Sequence, residues 1–308
     1  MAIDQARQRA QGLLLRGLHA AAIEAWRDVL SETPDDCDAH AAIAISLFHE
    51  KRIYAARHEA REALRLDPEQ TAAMYVMALI SFFENHAKRA IAQLDHLLGV
   101  DPFDLDALIL KAQILRSQCK YDKAETVLDD ALRLAPDAGQ VQLELGWLQR
   151  DRGQLTEAEE LARGLIAQDP QNVGALVLLG TLRRDLGDPQ EAIDLALAAL
   201  EIDPVSDQAF RLLGAAKLSR YPLTGLFWQV PRLLDKLETR TRLIVLVLIY
   251  LAYMMTNTTL AWFNAPEWVQ IGFVAVYIAI GVGFYLNDRI VAWLVRRELR
   301  RVEFRRDF

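Results

Sequence analysis

Through the first 219 residues, small and apolar positions return on one fixed period. Proline stands at 34, 68, 102, 136, 170 and 204, so every interval is 34 residues. With proline as the thirty-second residue of a unit, the units are 3–36, 37–70, 71–104, 105–138, 139–172 and 173–206. The twentieth residue is then always alanine: Ala22, Ala56, Ala90, Ala124, Ala158 and Ala192. The eighth is always small (Ala10, Ala44, Ala78, Ala112, Gly146, Gly180), and the twenty-seventh is apolar (Val29, Ala63, Leu97, Ala131, Leu165, Ala199). A repeat of this length, rich in alanine and leucine, predicts stacked two-helix units that bury one face against their neighbours. Past residue 220 the pattern changes in kind. Residues 243–266 and 268–287 carry no charge. At ~1.5 Å per residue, either run reaches across a hydrocarbon core of about 30 Å.

Each repeated feature has a physical reason. The eighth and twentieth positions are where the two helices of a unit come closest, and a large side chain would part them. Proline cannot continue the second helix, and it turns the residue before it away from helical geometry. Asp-Pro closes four units, at Asp67-Pro68, Asp101-Pro102, Asp169-Pro170 and Asp203-Pro204. Gly17, Gly153 and Gly187 fall between the two helices, where a helix end favours a left-handed residue.

The sixth unit, with Leu179-Gly180, Gly187, Glu191-Ala192-Ile193 and Ala199-Leu200-Glu201-Ile202-Asp203-Pro204, resembles the tetratricopeptide repeat family. The resemblance covers residues 3–219. It implies an all-α, right-handed solenoid of six helical hairpins plus a capping helix at 207–219, where Phe210, Leu213 and Gly214 keep the register. It implies a protein-interaction scaffold and no particular partner. The first unit departs from the pattern: Arg9 takes an apolar position beside Gln8 and Gln11, as a solvent-facing N-terminal cap requires.

In that family the second, fifth, ninth, twelfth and thirteenth positions of the first helix line an inner groove. Here the resemblance places Ala41, Ile45, Phe48, Tyr75, Leu79, Phe82 and Phe83 in one zone, and Ile109, Leu143, Trp147, Val177, Arg116, Arg150 and Arg184 in another. The expected ligand-binding residues are Ile45, Phe48, Tyr75, Leu79, Phe82, Trp147, Arg116, Arg150 and Arg184. The arginines recur at the twelfth position. They could form a ladder for an acidic peptide with an apolar anchor, or pair with neighbours such as Asp151 and Asp185. Aromatics at such spacing serve packing as readily as a ligand. On a groove face they need a cover: a partner, a second copy, or this chain's own segment 221–238. The clamp with which some family members read acidic chaperone tails is missing, since its positions hold Arg7, Gln11, Ala42, Ala72 and Val76.

The uncharged runs predict a transmembrane hairpin at 243–287, with spans at about 243–263 and 268–287 and a turn at Asn264-Ala265-Pro266-Glu267. Arg232, Lys236, Arg240 and Arg242 precede it, and seven arginines from Arg289 to Arg306 follow it, whereas the turn has no basic residue. The positive-inside rule then places both ends in the cytoplasm, and the Ala/Leu/Arg-rich composition suggests a bacterial inner membrane. Ala275, Ala279 and Gly283 form a small stripe at spacing four, suited to close packing of membrane helices. Residues 220–242 read as an interfacial linker helix with Phe227 and Trp228. Residues 288–308 read as a basic amphipathic tail, which lies on the membrane surface or serves as a solvated flank.

The net charge of −7 divides unevenly: −11 over residues 1–220 and +4 over 221–308. The acidic part argues against nucleic acid, and the basic part fits anionic lipid. Two cysteines, Cys37 and Cys119, make no disulfide framework or metal pair. No phosphate loop, GxSxG elbow or HExxH appears, and His40, His49 and His58 are not at ligand spacing, so no enzyme activity, metal or cofactor is expected. The leading expectation is a membrane-anchored scaffold that recruits a protein or peptide. A self-associating structural protein and a non-catalytic subunit of a membrane enzyme or secretion complex remain as alternatives.

Overall fold

The computed structural model describes residues 2–219, together with positions 254–256, 258, 262 and 266. The expected linker, hairpin, tail and Ala275/Ala279/Gly283 stripe lie, those few positions aside, outside the described residues. Among the described residues no helix is long and apolar enough to cross a membrane.

Residues 2–219 form thirteen α-helices: α1 (Ala2–Leu15), α2 (His19–Glu32), α3 (Cys37–His49), α4 (Ile53–Leu66), α5 (Thr71–Phe83), α6 (Ala87–Val100), α7 (Leu105–Ser117), α8 (Tyr121–Leu134), α9 (Gly139–Arg152), α10 (Leu155–Gln168), α11 (Val173–Asp185), α12 (Pro189–Ile202) and α13 (Asp207–Ser219). No strand occurs among the described residues. This is an all-α helical repeat of the tetratricopeptide type. The chain divides inside α10 into two compact units, Met1–Ala158 and Glu159–Phe308.

Turn chemistry sets these lengths. The residue after each odd-numbered helix from α1 to α11, or the next one or two, is left-handed: Gly17, Lys51, Asn85, Cys119, Gly153 and Gly187 all have positive φ. In each turn the amide of the left-handed residue donates three residues back and the next amide donates five back, as in Lys51 N to Phe48 O (2.9 Å) and Arg52 N to Leu47 O (2.9 Å). That is the Schellman closure, which satisfies the terminal carbonyls with backbone alone. Only half of these positions are glycine, so the backbone bonds, rather than residue type, hold the turn.

The other turn is closed by side chains. Asp67, Asp101, Asp169 and Asp203 each accept a hydrogen bond from the amide two residues on, across the proline, at 3.0 Å. The helix that follows is then capped: Gln70, Asp104 and Asn172 accept from Ala73, Ala107 and Ala175 N–H at 2.9–3.0 Å and Ser206 from Ala209 N–H at 3.4 Å, while Asp36, after Thr33-Pro34, caps α3 through Ala39 N–H at 3.1 Å. Asp-Pro in the sequence is therefore half of a two-part device. Its other half stands two residues past the proline. Ala135 and Ala138 supply neither part, so α9 begins without a side-chain cap.

The packing follows the period. The six alanines at the twentieth position are all 0% exposed. In the first unit, Ala44, Ala56, Ala63, Ile43 and Leu47 share one cluster, and Ala78, Ala90, Leu94, Leu97 and Ile114 another. In the second unit a Cβ on Gly180 would lie 2.6 Å from Leu212 Cδ2, 3.3 Å from Leu195 Cβ and 3.5 Å from Ala192 O. Its small size lets α11 approach α12 and α13 together.

Candidate binding groove

The first unit holds a cavity of about 600 Å³ bounded by α1, α3 and α5, with Trp26 of α2 also lining it. Its walls include Arg7, Gln11, Leu14, Asp38, Ala41, Ile45, Gln70 and Ala72. Steps of three and four residues along a helix keep these side chains on one face. The alanines leave the space that leucines would fill. The polar groups are tied to the scaffold. Gln70 accepts the Ala73 amide and donates its Nε2 to Asp38 Oδ1 at 2.9 Å. Arg7 Nη2 lies 2.7 Å from Asp36 Oδ2, and Asp36 also caps α3. Trp26 is 4% exposed, and its indole Nε1 has no hydrogen-bond partner among the described residues.

Of the residues expected to bind a ligand, Ile45 lines this cavity. Phe48 packs on the first core cluster, and Tyr75, Leu79 and Phe82 on the next. All four are half-buried, so they serve core and surface together. Phe48 meets Phe83 edge to face with centroids 6.2 Å apart, and Phe83 is 64% exposed. Beside them His49 stacks on His19 at 4.3 Å. Burial pushes the Tyr75 phenol up to about 12, with Asp106 and Asp104 adding to the shift.

Arg116 and Arg150 both come over Trp147, their guanidinium carbons 6.0 and 5.7 Å from the ring centroid. Asp151 takes Arg116 Nη1 at 2.8 Å and Arg150 Nη1 at 3.2 Å. Glu144, buried beneath, accepts Gln113 Nε2 at 2.7 Å and lies 3.5 Å from Arg116 Nη2. Burial raises the Glu144 carboxyl above its ordinary range, and Arg116 and Gln113 draw it back only in part. In the second unit Arg184 Nη2 meets Asp185 Oδ1 at 2.7 Å. Neighbour pairing is thus the arrangement observed at Arg150 and Arg184, and Arg116 reaches a carboxylate 35 residues on.

The expected ligand-binding set leaves out the first-repeat half of the cavity, Arg7, Gln8, Gln11, Leu14, Leu15 and Trp26, although Arg7 and Gln11 stand at two of the family's clamp positions. The polar character of α1 had marked it as a cap. The usable signal was the same set of helix positions counted back one period, on which Arg7, Gln11, Leu14 and Leu15 fall. Glu144 was not linked to the arginines, nor Asp151 to Arg116, because those pairings cross repeats.

Residues 75–139 and 143–207 match the tetratricopeptide repeat family model. Solved structures agree in fold. A tetratricopeptide repeat protein from Parabacteroides merdae is 16% identical, with a TM-score of 0.54 over 80% of this chain and 98% of its own. A thermophilic TPR protein from Thermus thermophilus is 21% identical, with a TM-score of 0.54 over 59% of this chain and 100% of its own. PilW, described as a widely conserved type IV pilus biogenesis factor, is 20% identical, with a TM-score of 0.54 over 69% of this chain and 99% of its own. Among curated proteins none matches the chain significantly.

Proposed function

We propose, from the premise that tetratricopeptide repeats build the helical part of this chain, that it is a membrane-anchored adaptor holding a protein or peptide segment in the groove of its first unit. The observation that carries this reading is the cavity of about 600 Å³, with Ala41, Ile45 and Ala72 in its walls and fixed polar groups around them. A concave apolar site with a few convergent polar groups is where a ligand gains most from leaving water. Tetratricopeptide proteins are in general interaction scaffolds rather than catalysts, which accords with that use.

The anchor is supported by sequence: uncharged runs at 243–266 and 268–287, and basic residues on both outer flanks. By the positive-inside rule the adaptor has two spans, with both termini cytoplasmic. A photo-crosslinking side chain placed at Ile45 of the full chain, in native membranes, is expected to capture a protein. The same side chain at exposed Arg61 on α4 is expected to capture none. Equal capture at the two positions would remove the groove reading.

A further inference from the structure

Two exposed carboxylates stand at equivalent helix positions beside this groove. Asp38 is in the cavity wall, one residue into α3, and Asp106 has the equivalent place in α7. Neither caps its helix, and both are exposed. Beside them Asp36 and Asp104 are fixed as caps, and Asp67 and Asp101 are fixed by the turns they close. At three neighbouring groups these carboxylates add to the effect of burial. Burial and then Asp38, Asp67 and Asp36 push the Cys37 thiol up. Burial, Asp106 and Asp104 do so to Tyr75. Burial, with Asp106 and Asp101, raises the Asp104 carboxyl, against the pull of its hydrogen bond from Ala107. The one cation in the cavity wall, Arg7, is held by Asp36. Arg116 and Arg150 in turn lie against Asp151 and Glu144.

We infer that the partner segment taken by this groove is basic: an apolar-anchored peptide whose large side chain enters the cavity beside Ile45 and whose arginines or lysines lie along the acidic edge at Asp38 and Asp106. The inference rests on the groove reading above and reverses the sign of ligand charge that the arginine positions imply. A carboxylate edge beside an apolar cavity favours cationic ligands through charge-assisted hydrogen bonds. It also steers their approach and repels acidic competitors. Asp38 is held by Gln70, and the neighbouring Asp36, Asp67, Asp101 and Asp104 by backbone amides, so little ordering of this edge is required when a cation arrives.

The test uses the full chain in an uncharged detergent and a short fluorescent amphipathic peptide with leucines on one face and arginines on the other. Two twins of that peptide carry glutamate in place of arginine, or serine in place of leucine. Anisotropy is expected to show the arginine peptide binding at least about tenfold more tightly than the glutamate twin, and weakening as salt rises. Asp106→Lys, and Asp38→Lys with it, should each weaken the arginine peptide several-fold, with helical circular dichroism unchanged. Ile45→Arg and the serine twin should abolish binding. Tighter binding of the glutamate twin, still lost in Ile45→Arg, would overturn the basic-ligand inference and leave the groove reading standing. Binding of neither charged peptide, or binding indifferent to Ile45→Arg, would overturn both.

Discussion

At Cys119 a left-handed backbone, φ 58°, bears a side chain that the conformation disfavours. A Cβ in that region crowds the following carbonyl, at a cost of roughly 1–2 kcal/mol, and glycine's greater chain entropy returns part of it. Cys119→Gly is therefore expected to stabilise the protein by about 0.5–1 kcal/mol. Asn85→Gly should gain less, because asparagine visits this region more readily. Hydrogen exchange of the amides of Cys119 and Lys120, which close the turn, reads this locally, and faster exchange in the glycine variant would count against it. Glu144 poses a different residue-level problem. Its carboxyl is raised in the folded protein, chiefly by burial. Stability from a raised acid is fully present below the ordinary glutamate value of about 4.3 and is lost as pH rises through the higher folded value. Glu144→Gln keeps an acceptor for Gln113 and leaves Arg116 with Asp151. It should raise the thermal midpoint at neutral pH and flatten the acid-to-neutral dependence. An unchanged pH profile would show that Glu144 is not the group responsible.

Among the elements, α9 is the one whose start departs from its equivalents in the middle repeats. Ala138 occupies the place that Asp36, Gln70, Asp104 and Asn172 fill elsewhere. Ala138→Asn should add about 1 kcal/mol, and Asn172→Ala should remove a similar amount at α11. Urea unfolding followed at each site would reveal both signs. Helix contact sets a stronger limit at Gly180. A single methyl there displaces Leu212, and the cost is partly offset by alanine's better helix propensity, worth about 1 kcal/mol. Gly180→Val also presses on Leu195 and should cost about 2–3 kcal/mol. A thermal midpoint equal to that of the parent would refute the close approach. These elements also show what a sequence discloses. Period, small contact positions and the second-helix stop at proline are all legible, because sterics restrict which residues fit there. The left-handed turns at Lys51, Asn85 and Cys119 are not, because backbone hydrogen bonds impose them on residues that do not announce them. The pairing of Arg116 with Asp151 is hidden for another reason. It depends on which way a long side chain leans between repeats, and spacing alone leaves that undetermined.

At the scale of the whole molecule, the proposed anchor and the proposed groove make separable claims. Arginine in both uncharged runs, at Ala252 and Ile278, would cost about 2.5–3.5 kcal/mol each at the centre of a span. The doubly substituted chain is expected to leave the membrane on alkaline washing, while the parent stays. If both resist the wash equally, the hairpin is not the anchor. The acidic edge, in turn, was not visible as an edge in the sequence. Asp36, Asp67, Asp101 and Asp104 were each explicable as local turn chemistry, and Asp38 and Asp106 as acidic residues of a first helical turn. One earlier feature reaches further. The turns between paired helices are closed by backbone amides and carbonyls, and the helices meet at a few positions where only small side chains fit. Selection for folding therefore acts on a handful of sites in each repeat and leaves the others to drift. Such a chain can exchange nearly its whole outer vocabulary across lineages and keep its shape. Kinship in fold then carries little memory of cargo, and what a given copy binds is written in the side chains that folding leaves alone.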